Sequence, residues 1–221
     1  MPIMFQKKDI TVTAIVGVFT ALIWTGVFIR LGTFNRFNLG NAIWGLVVVA
    51  PIIFVFGLYL GQWLSRWKSF FSSFARFVII GFLNAGVDFG VFNLLIFLTG
   101  IEIGWGIALF KTASFLAAFT SSYFWNKYWT FGAGKTANRG AEFIKYTAVT
   151  LVGALINIGA SFTIINFVTP AFGFSQLGWD NIAVVMATIG NLLWNFIMYN
   201  WVVFKTQTIG PEKNQENINL D

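Results

Sequence analysis

Six long apolar stretches dominate this sequence and restrict the folds that it can adopt. Each has about 20 residues or more, which at a rise of about 1.5 Å per residue crosses a hydrocarbon core of about 30 Å. Because that core holds no water, backbone amides must be satisfied within each segment, which favours helices. We therefore predict an all-α membrane protein with six transmembrane helices, over Ile10–Ile29, Asn41–Leu64, Phe77–Leu98, Trp105–Trp125, Tyr146–Val168 and Asn181–Phe204.

The composition agrees with a membrane protein and excludes several classes of chemistry. Hydrophobic residues make up 57% of the chain and charged residues only 10%, against about a quarter charged in soluble domains. The sequence contains neither Cys nor His, which removes disulfides, thiol nucleophiles, most zinc sites and the usual general base. We expect a protein that is not an enzyme, with no catalytic residue, no metal site and no cofactor.

Basic residues alternate between the two ends of the predicted helices. Eleven of them lie at the two termini or in the second and fourth loops, whereas the other loops hold only Arg30 and Arg36. The positive-inside rule therefore places both termini in the cytoplasm of a multi-pass protein of the cell inner (plasma) membrane. The net charge of +6 favours contact with membrane lipids and gives no reason to expect a nucleic acid.

The last four predicted helices contain an internal duplication. The matched positions are Arg76 and Lys145, Phe77 and Tyr146, Asp88 and Asn157, and the helix ends Ser122–Phe131 and Asn195–Phe204. Since each copy has two helices, the copies point the same way through the membrane, and their symmetry axis is expected along the membrane normal. The first two helices match neither copy and form an added hairpin.

Four segments follow from this organisation. Aromatic residues at helical spacing between helices two and three predict a short helix in the membrane interface, and the polar C-terminus has nothing to bury. Glu102, Glu142 and Asp180 lie at helix ends and are expected to be solvated or capping charges. The predicted segments are a transmembrane hairpin at 1–66, an interfacial amphipathic segment at 67–75, a four-helix domain at 76–206 and a disordered tail at 207–221.

The stretch from about Phe74 to Lys205 resembles the GtrA-like family of small four-helix membrane proteins. The matching features are Arg76-Phe77 with Gly81, Asn84 and Asp88, the run Asn126–Phe131, and a weaker second copy that ends at Phe204. Two features depart from the family: the N-terminal hairpin, and Tyr199-Asn200 in place of the Asn-Lys pair in the second copy.

The resemblance implies a function in cell-surface glycosylation. It implies a flippase that moves a polyprenyl-phosphate-linked monosaccharide from the cytoplasmic to the outer leaflet for polysaccharide biosynthesis. A membrane glycosyltransferase is then an expected partner. Four thin helices hardly enclose a sugar on their own, so we also expect a homo-oligomer.

Asp88 and Lys111 are the only charges inside the apolar stretches. A charge at the centre of a spanning helix costs roughly 2.5–3.5 kcal/mol on insertion scales, so such residues normally have a partner. Asp88 lies about 18 Å from Arg76 along its helix, and Lys111 lies about 9 Å from Trp105, which places both at nearly one depth. Asn157 and Asn191 fall near the same level.

We chose the candidate substrate-binding residues by their depth in the membrane and by the helix face on which they lie. We expect Lys111 to attract the phosphate, Arg76 and Lys127 to collect it at the cytoplasmic face, and a polar stripe on the fourth helix to guide the head group. Gly86 and Gly90 form a GxxxG spacing on another side of the third helix, suited to close packing. The full candidate set is Asp88, Lys111, Asn84, Asn157, Asn191, Ser114, Ser122, Asn126, Lys127 and Arg76, with Asp88 and the first three asparagines assigned to sugar hydroxyls.

Three other interpretations remain open. The pair of charges and the asparagines can serve only to fix helix register, since interhelical hydrogen bonds average about 0.6 kcal/mol. The chain can also be a proton-coupled exporter resembling the small multidrug-resistance proteins, with Asp88 as the acid. The third possibility is a non-transporting membrane anchor for a glycosyltransferase.

Overall fold

The computed structural model describes residues 7–32, 40–134, 138–171 and 175–204, so the predicted tail at 207–221 lies outside the described residues. Within these ranges the chain forms helices, turns and no strand. The helices are α1 Lys7–Arg30, α2 Leu46–Leu64 preceded by a 3₁₀ turn at Gly40–Gly45, α3 Phe70–Thr99, α4 Trp105–Trp125, α5 Arg139–Phe167 and α6 Gln176–Met198. Two compact units divide the chain: unit 1 is Met1–Gly134 and unit 2 is Lys135–Asp221.

Five segments are long and apolar enough to cross a membrane: Lys7–Arg30, Ala42–Leu64, Phe70–Thr99, Arg139–Phe167 and Ile182–Val203. The prediction of an all-α membrane protein is confirmed. α4 falls outside this set because Lys111 and several hydroxyl residues lower its mean hydropathy. It has 21 residues, enough to span a bilayer, and remains the predicted sixth span.

Large apolar side chains cover the outside of both units. Phe56, Leu109 and Leu155 are each about two-thirds exposed, at 67%, 69% and 68%. Contiguous apolar surface of this kind is rare on soluble monomers. It is the expected surface of helices that are solvated by lipid tails.

In unit 1, α1 packs against both α2 and α3. A side chain added at Gly17 would lie 2.5 Å from Pro51 Cα, so glycine is needed where α1 meets α2. Gly90 has the same role opposite Ile23 of α1. A β-carbon added at Gly90 would lie only 2.7 Å from Ile23 Cγ2. The predicted close packing at Gly86 and Gly90 is therefore confirmed, and its partner is α1. The buried core between these helices comprises Val16, Phe54, Leu58, Ile79, Ile80 and Leu83.

The predicted interfacial segment at 67–75 has no helix of its own. α2 ends at Leu64, residues 65–67 form a turn, and α3 already begins at Phe70. The sequence places the start of this helix seven residues later, at Phe77. The start of α3 packs on α2, because Ala75 Cβ and the backbone carbonyl of Phe71 lie against Gly61.

Unit 2 is an antiparallel pair of α5 and α6. Trp194 Nε1 donates to Val149 O across 3.2 Å, and Trp179 Nε1 donates to Val168 O across 2.9 Å at the other end of the pair. Both bonds satisfy the indole N–H within the protein, as buried tryptophans require.

Of the two roles predicted for Glu142, the solvated one is wrong, because this residue is only 4% exposed. Glu142 lies in the first turn of α5, so the capping role stays a prediction. The N-cap of α5 is Asn138, whose Oδ1 accepts from Ala141 N at 2.9 Å. Glu142 shares its helix face with the buried Tyr146, Val149 and Gly153. That spacing of four, three and four residues is the buried stripe of a helix, so its register directs Glu142 inward.

The internal duplication is visible in the backbone. α4 and α6 each continue into a π-helical turn, Asn126–Thr130 and Tyr199–Val203. Each turn closes on an equivalent bond, from Phe131 N to Asn126 O at 2.9 Å and from Phe204 N to Tyr199 O at 2.8 Å. The ring pairs also correspond: the centroids of Phe77 and Phe131 lie 6.3 Å apart, and those of Tyr146 and Phe204 lie 6.0 Å apart.

Candidate functional site

Asp88 of α3 is the centre of a polar cluster with two residues of α4. Its Oδ2 forms a salt bridge with Lys111 Nζ, and its Oδ1 accepts a hydrogen bond from Ser114 Oγ at 2.6 Å. Lys111 and Ser114 are three residues apart and therefore share one face of α4. The prediction that the two membrane charges meet at one level is confirmed, and both carboxylate oxygens have a partner.

The cluster is protected on one side and open on the other. Ser114 is fully buried, whereas the side chains of Asp88 and Lys111 are 22% and 56% exposed. The Lys111 ammonium also lies 6.0 Å from the centre of the Phe89 ring. An ammonium that is half exposed within an apolar segment is costly in lipid. Asp88 lowers that cost on one side, and a bound anion or a wet cavity on the exposed side would lower it further.

Asn84 lies one helical turn before Asp88 on α3, as predicted. Its Oδ1 is buried, and no described group hydrogen-bonds to it. A buried amide oxygen without a donor costs about 1–3 kcal/mol. This acceptor adds to the polar side of α3 and is suited to a hydroxyl donor.

The predicted stripe on α4 continues into the π turn. Asn126 Nδ2 donates to Ser122 Oγ across 3.1 Å, and Asn126 and Thr130 are each 1% exposed. Asn126 Oδ1 and Thr130 Oγ1 are buried, and neither has a hydrogen-bond partner among the described residues. π turns occur frequently at functional sites. The lower part of the stripe is thus buried in the protein, while Lys111 at its upper end is exposed.

The two basic residues predicted to collect phosphate are both engaged within the protein. Lys127 is 1% exposed, and its Nζ lies 5.7 Å from the ring centres of Tyr123 and Tyr128. Arg76 Nη2 bonds Asp9 Oδ2 of α1 at 3.1 Å. Their roles in phosphate binding stay predictions, and the structure adds Asp9, which the sequence analysis missed.

Asn157 and Asn191 belong to unit 2, where each has a partner on α6. Asn157 Nδ2 donates to Thr188 Oγ1 across 3.3 Å, and Asn191 Oδ1 accepts from Asn195 Nδ2 at 2.9 Å. Asn195 was missed by the sequence analysis. Two signals point to it: it lies four residues after Asn191, and it occupies the position of Ser122 in the other copy.

A glycine of α5 makes room for the two amides of α6. A β-carbon added at Gly153 would collide with Asn191 Oδ1 and would lie 2.6 Å from Asn195 Oδ1. The Asn195 oxygen is buried and accepts from no described donor. Unit 2 therefore holds its own polar site, built by one glycine and two asparagines.

The groups of the cluster at Asp88 suit the recognition of a phosphate and of hydroxyls. An ammonium is a strong, compact phosphate ligand. Hydrogen bonds that involve an ionised group are roughly twice as strong as those between neutral groups. The carboxylate and the amide oxygens accept from hydroxyl donors, which are abundant on a sugar.

Comparison with known proteins matches the region that holds this cluster. The profile of the family described as "GtrA/DPMS, transmembrane domain" matches residues 76–204. The membrane protein YngA of Bacillus subtilis (strain 168), itself uncharacterized, is 29% identical over 130 residues, which cover 59% of this chain and 78% of YngA. No solved structure matches the chain. The matched region begins within α3, continues through α6 and excludes α1 and α2.

Proposed function

Because this chain belongs to the GtrA/DPMS transmembrane-domain family, we propose that it is a flippase for a lipid-linked sugar. Its substrate is a polyprenyl-phosphate-linked monosaccharide, which it moves from the cytoplasmic to the outer leaflet for cell-surface polysaccharide glycosylation. The protein acts as a transporter and not as an enzyme. The prenyl tail stays in the lipid while the polar head crosses beside α3 and α4.

The observation that carries this proposal is the half-exposed Lys111 in its salt bridge with Asp88. A phosphate that approaches Lys111 competes with the carboxylate for the same ammonium. The site then has two states, one with the internal salt bridge and one with the phosphate bound. A ligand shifts such an equilibrium by its difference in affinity for the two states.

The sugar is bound by the groups that surround this exchange. Asp88 accepts sugar hydroxyls when Lys111 turns to the phosphate, and the buried oxygen of Asn84 accepts another. Ser114 holds the carboxylate in place from the buried side. At the separate polar site of unit 2, we assign Asn157 and Asn191 to sugar hydroxyls as well.

The rival functions receive less support from the geometry. A proton-coupled exporter of the small multidrug-resistance type uses an unpaired carboxylate, whereas Asp88 is engaged by Lys111 and Ser114. A pure anchor for a glycosyltransferase gives no reason for a charged pair within two spans. A membrane glycosyltransferase remains a proposed partner, and a homo-oligomer the proposed assembly.

Reconstitution into vesicles tests the proposal. Labelled polyprenyl-phosphate sugars are incorporated, and the fraction that reaches the other leaflet is measured with an impermeant reagent that reacts with the sugar. Lys111→Ala should abolish transfer, and Lys111→Arg should retain part of it because the charge remains. Transfer by Lys111→Ala at the unaltered rate would refute the proposed role of the cluster.

A further inference from the structure

A groove with a volume of about 800 Å³ runs between α1 and α3. Its described lining is mostly apolar, from Phe19 and Leu22 on α1 to Leu94 on α3, and Arg30 and Asn93 are its polar members. α1 lies outside the region that matches the family, so the added hairpin creates this groove. It is a second feature of unit 1, separate from the cluster at Asp88.

Two glycines shape the groove. A side chain added at Gly26 would meet no described atom within 4 Å, so the absence of one leaves the groove open. At Gly90 the space is occupied, because Ile23 Cγ2 lies where a β-carbon would be. The absence of a side chain there lets α1 approach α3 closely. The result is an apolar trench that is closed at its base by Ile23 and open above Gly26.

Arg30 supplies a positive charge at one end of this trench. It lies in the last turn of α1, and its guanidinium carbon lies 5.7 Å from the centre of the Phe97 ring. α1 and α3 run parallel, since Asp9 meets Arg76 near their N-terminal ends and Arg30 meets Phe97 near their C-terminal ends. Arg30 thus marks the end of the span, at the depth of lipid head groups.

A second groove, between α2 and α3, differs from the first because no cation lies among its described residues. Its volume is about 530 Å³, and its described lining consists of apolar side chains and glycines, among them Gly57. It accommodates a hydrocarbon chain and offers nothing to a phosphate. Only the first of these two described grooves combines an apolar trench with a cation at its end.

We propose that the groove between α1 and α3 binds an anionic glycerophospholipid. One acyl chain lies along the trench beside Gly26 and Gly90, and the phosphate pairs with Arg30. A guanidinium suits a lipid phosphate because it donates two parallel hydrogen bonds to it. The lipid seals the seam between the added hairpin and α3. This inference does not depend on the flippase function.

Thermal unfolding of the full chain in maltoside micelles tests it, together with native mass spectrometry to count bound lipids. Phosphatidylglycerol, phosphatidylcholine and a polyprenyl phosphate are compared as additives. Phosphatidylglycerol should bind and raise Tm more than the other two. Arg30→Gln should weaken its binding about tenfold or more, the factor for about 1.5 kcal/mol lost with a hydrogen bond to a charged group.

Two leucine variants separate the groove from general effects of lipid. Gly26→Leu fills the trench and should abolish the selective binding, whereas Gly57→Leu fills the other groove and should leave it unchanged. A β-carbon at Gly57, as at Gly26, meets no described atom within 4 Å, so the two positions are matched for this comparison. Equal effects of the two phospholipids, a preference for polyprenyl phosphate, or full binding by Gly26→Leu would each overturn the proposal.

Discussion

Arg76 at the start of the matched region donates to Asp9 of the added hairpin, with Nη2 and Oδ2 3.1 Å apart. The two side chains are 14% and 18% exposed, so water screens this pair only in part. The bond joins α1 to α3 at one end, and Ile23 and Trp24 join them near the middle. The hairpin is therefore docked on the first helix of the family domain, and it holds one of the residues predicted to meet phosphate.

Asp9→Asn should lower the free energy of unfolding by about 1–3 kcal/mol, between the values for exposed and for buried ion pairs. Reversible unfolding in mixed micelles measures the change. Asp9 also interacts favourably with the N-terminal end of α1. A double-mutant cycle with Arg76→Gln isolates the pair from that effect. If the two substitutions are additive within about 0.5 kcal/mol, the salt bridge does not stabilise the protein.

Ser114→Ala should slow lipid-sugar transfer by about tenfold, since a hydrogen bond to a charged group is worth about 1.5–3 kcal/mol. The variant leaves Asp88 Oδ1 without its buried donor. Initial transfer rates in vesicles measure the effect. Thr112→Ala is the matched control, because the Thr112 hydroxyl bonds only the Ala108 carbonyl of its own helix among the contacts described. Equal rates for both variants would show that Ser114 does not position the carboxylate.

Gly153→Ala should destabilise unit 2 by about 1–3 kcal/mol, as overpacking of a well-filled site does. The new methyl group collides with the amide oxygens of Asn191 and Asn195. Gly159→Ala on the same helix meets no described atom within 4 Å. It should be neutral or stabilise by up to about 1 kcal/mol, the difference in helix propensity. Chemical denaturation of both variants makes the comparison, and a neutral Gly153→Ala would contradict the packing described.

Two substitutions at Tyr199 distinguish the contribution of ring packing to stability from that of its hydrogen bond. Its ring stacks on Tyr146 at 4.6 Å between centroids, and its hydroxyl lies 2.6 Å from Thr150 Oγ1. Tyr199→Phe should cost about 0.5–1.5 kcal/mol, and Tyr199→Ala about 3–5 kcal/mol. Trp201→Ala, two residues away and 68% exposed, should change stability by at most about 0.5 kcal/mol. Equal losses for the Phe and Ala variants at Tyr199 would exclude a packing role for the ring.

The positions of the helices and the common depth of Asp88 and Lys111 could be predicted from the sequence. Both follow from rules that apply within a single helix. Hydrophobic length locates a span, and the rise per residue fixes the depth of a side chain. These rules place Asp88 and Lys111 at one level without any knowledge of packing. Gly86 and Gly90 were recognised as a packing face for the same reason.

Other contacts between helices, and the burial that results from them, were not predicted from the sequence. They depend on which helices become neighbours. Asp9 and Arg76 are 67 positions apart, and their contact requires α1 to run parallel to α3. Lys127 was placed at the interface by its charge, but in the structure the rings of Tyr123 and Tyr128 lie beside its ammonium and the side chain is buried. Glu142 was predicted to be solvated or capping for the same reason, although its helix register turns it inward. Charge alone does not decide burial.

The two π turns at Asn126–Thr130 and Tyr199–Val203 give the two copies the same backbone where their side chains differ. Asn126-Lys127 in the first copy occupies the positions of Tyr199-Asn200 in the second. The backbone at this helix end therefore forms with a buried lysine in one copy and without any charge in the other.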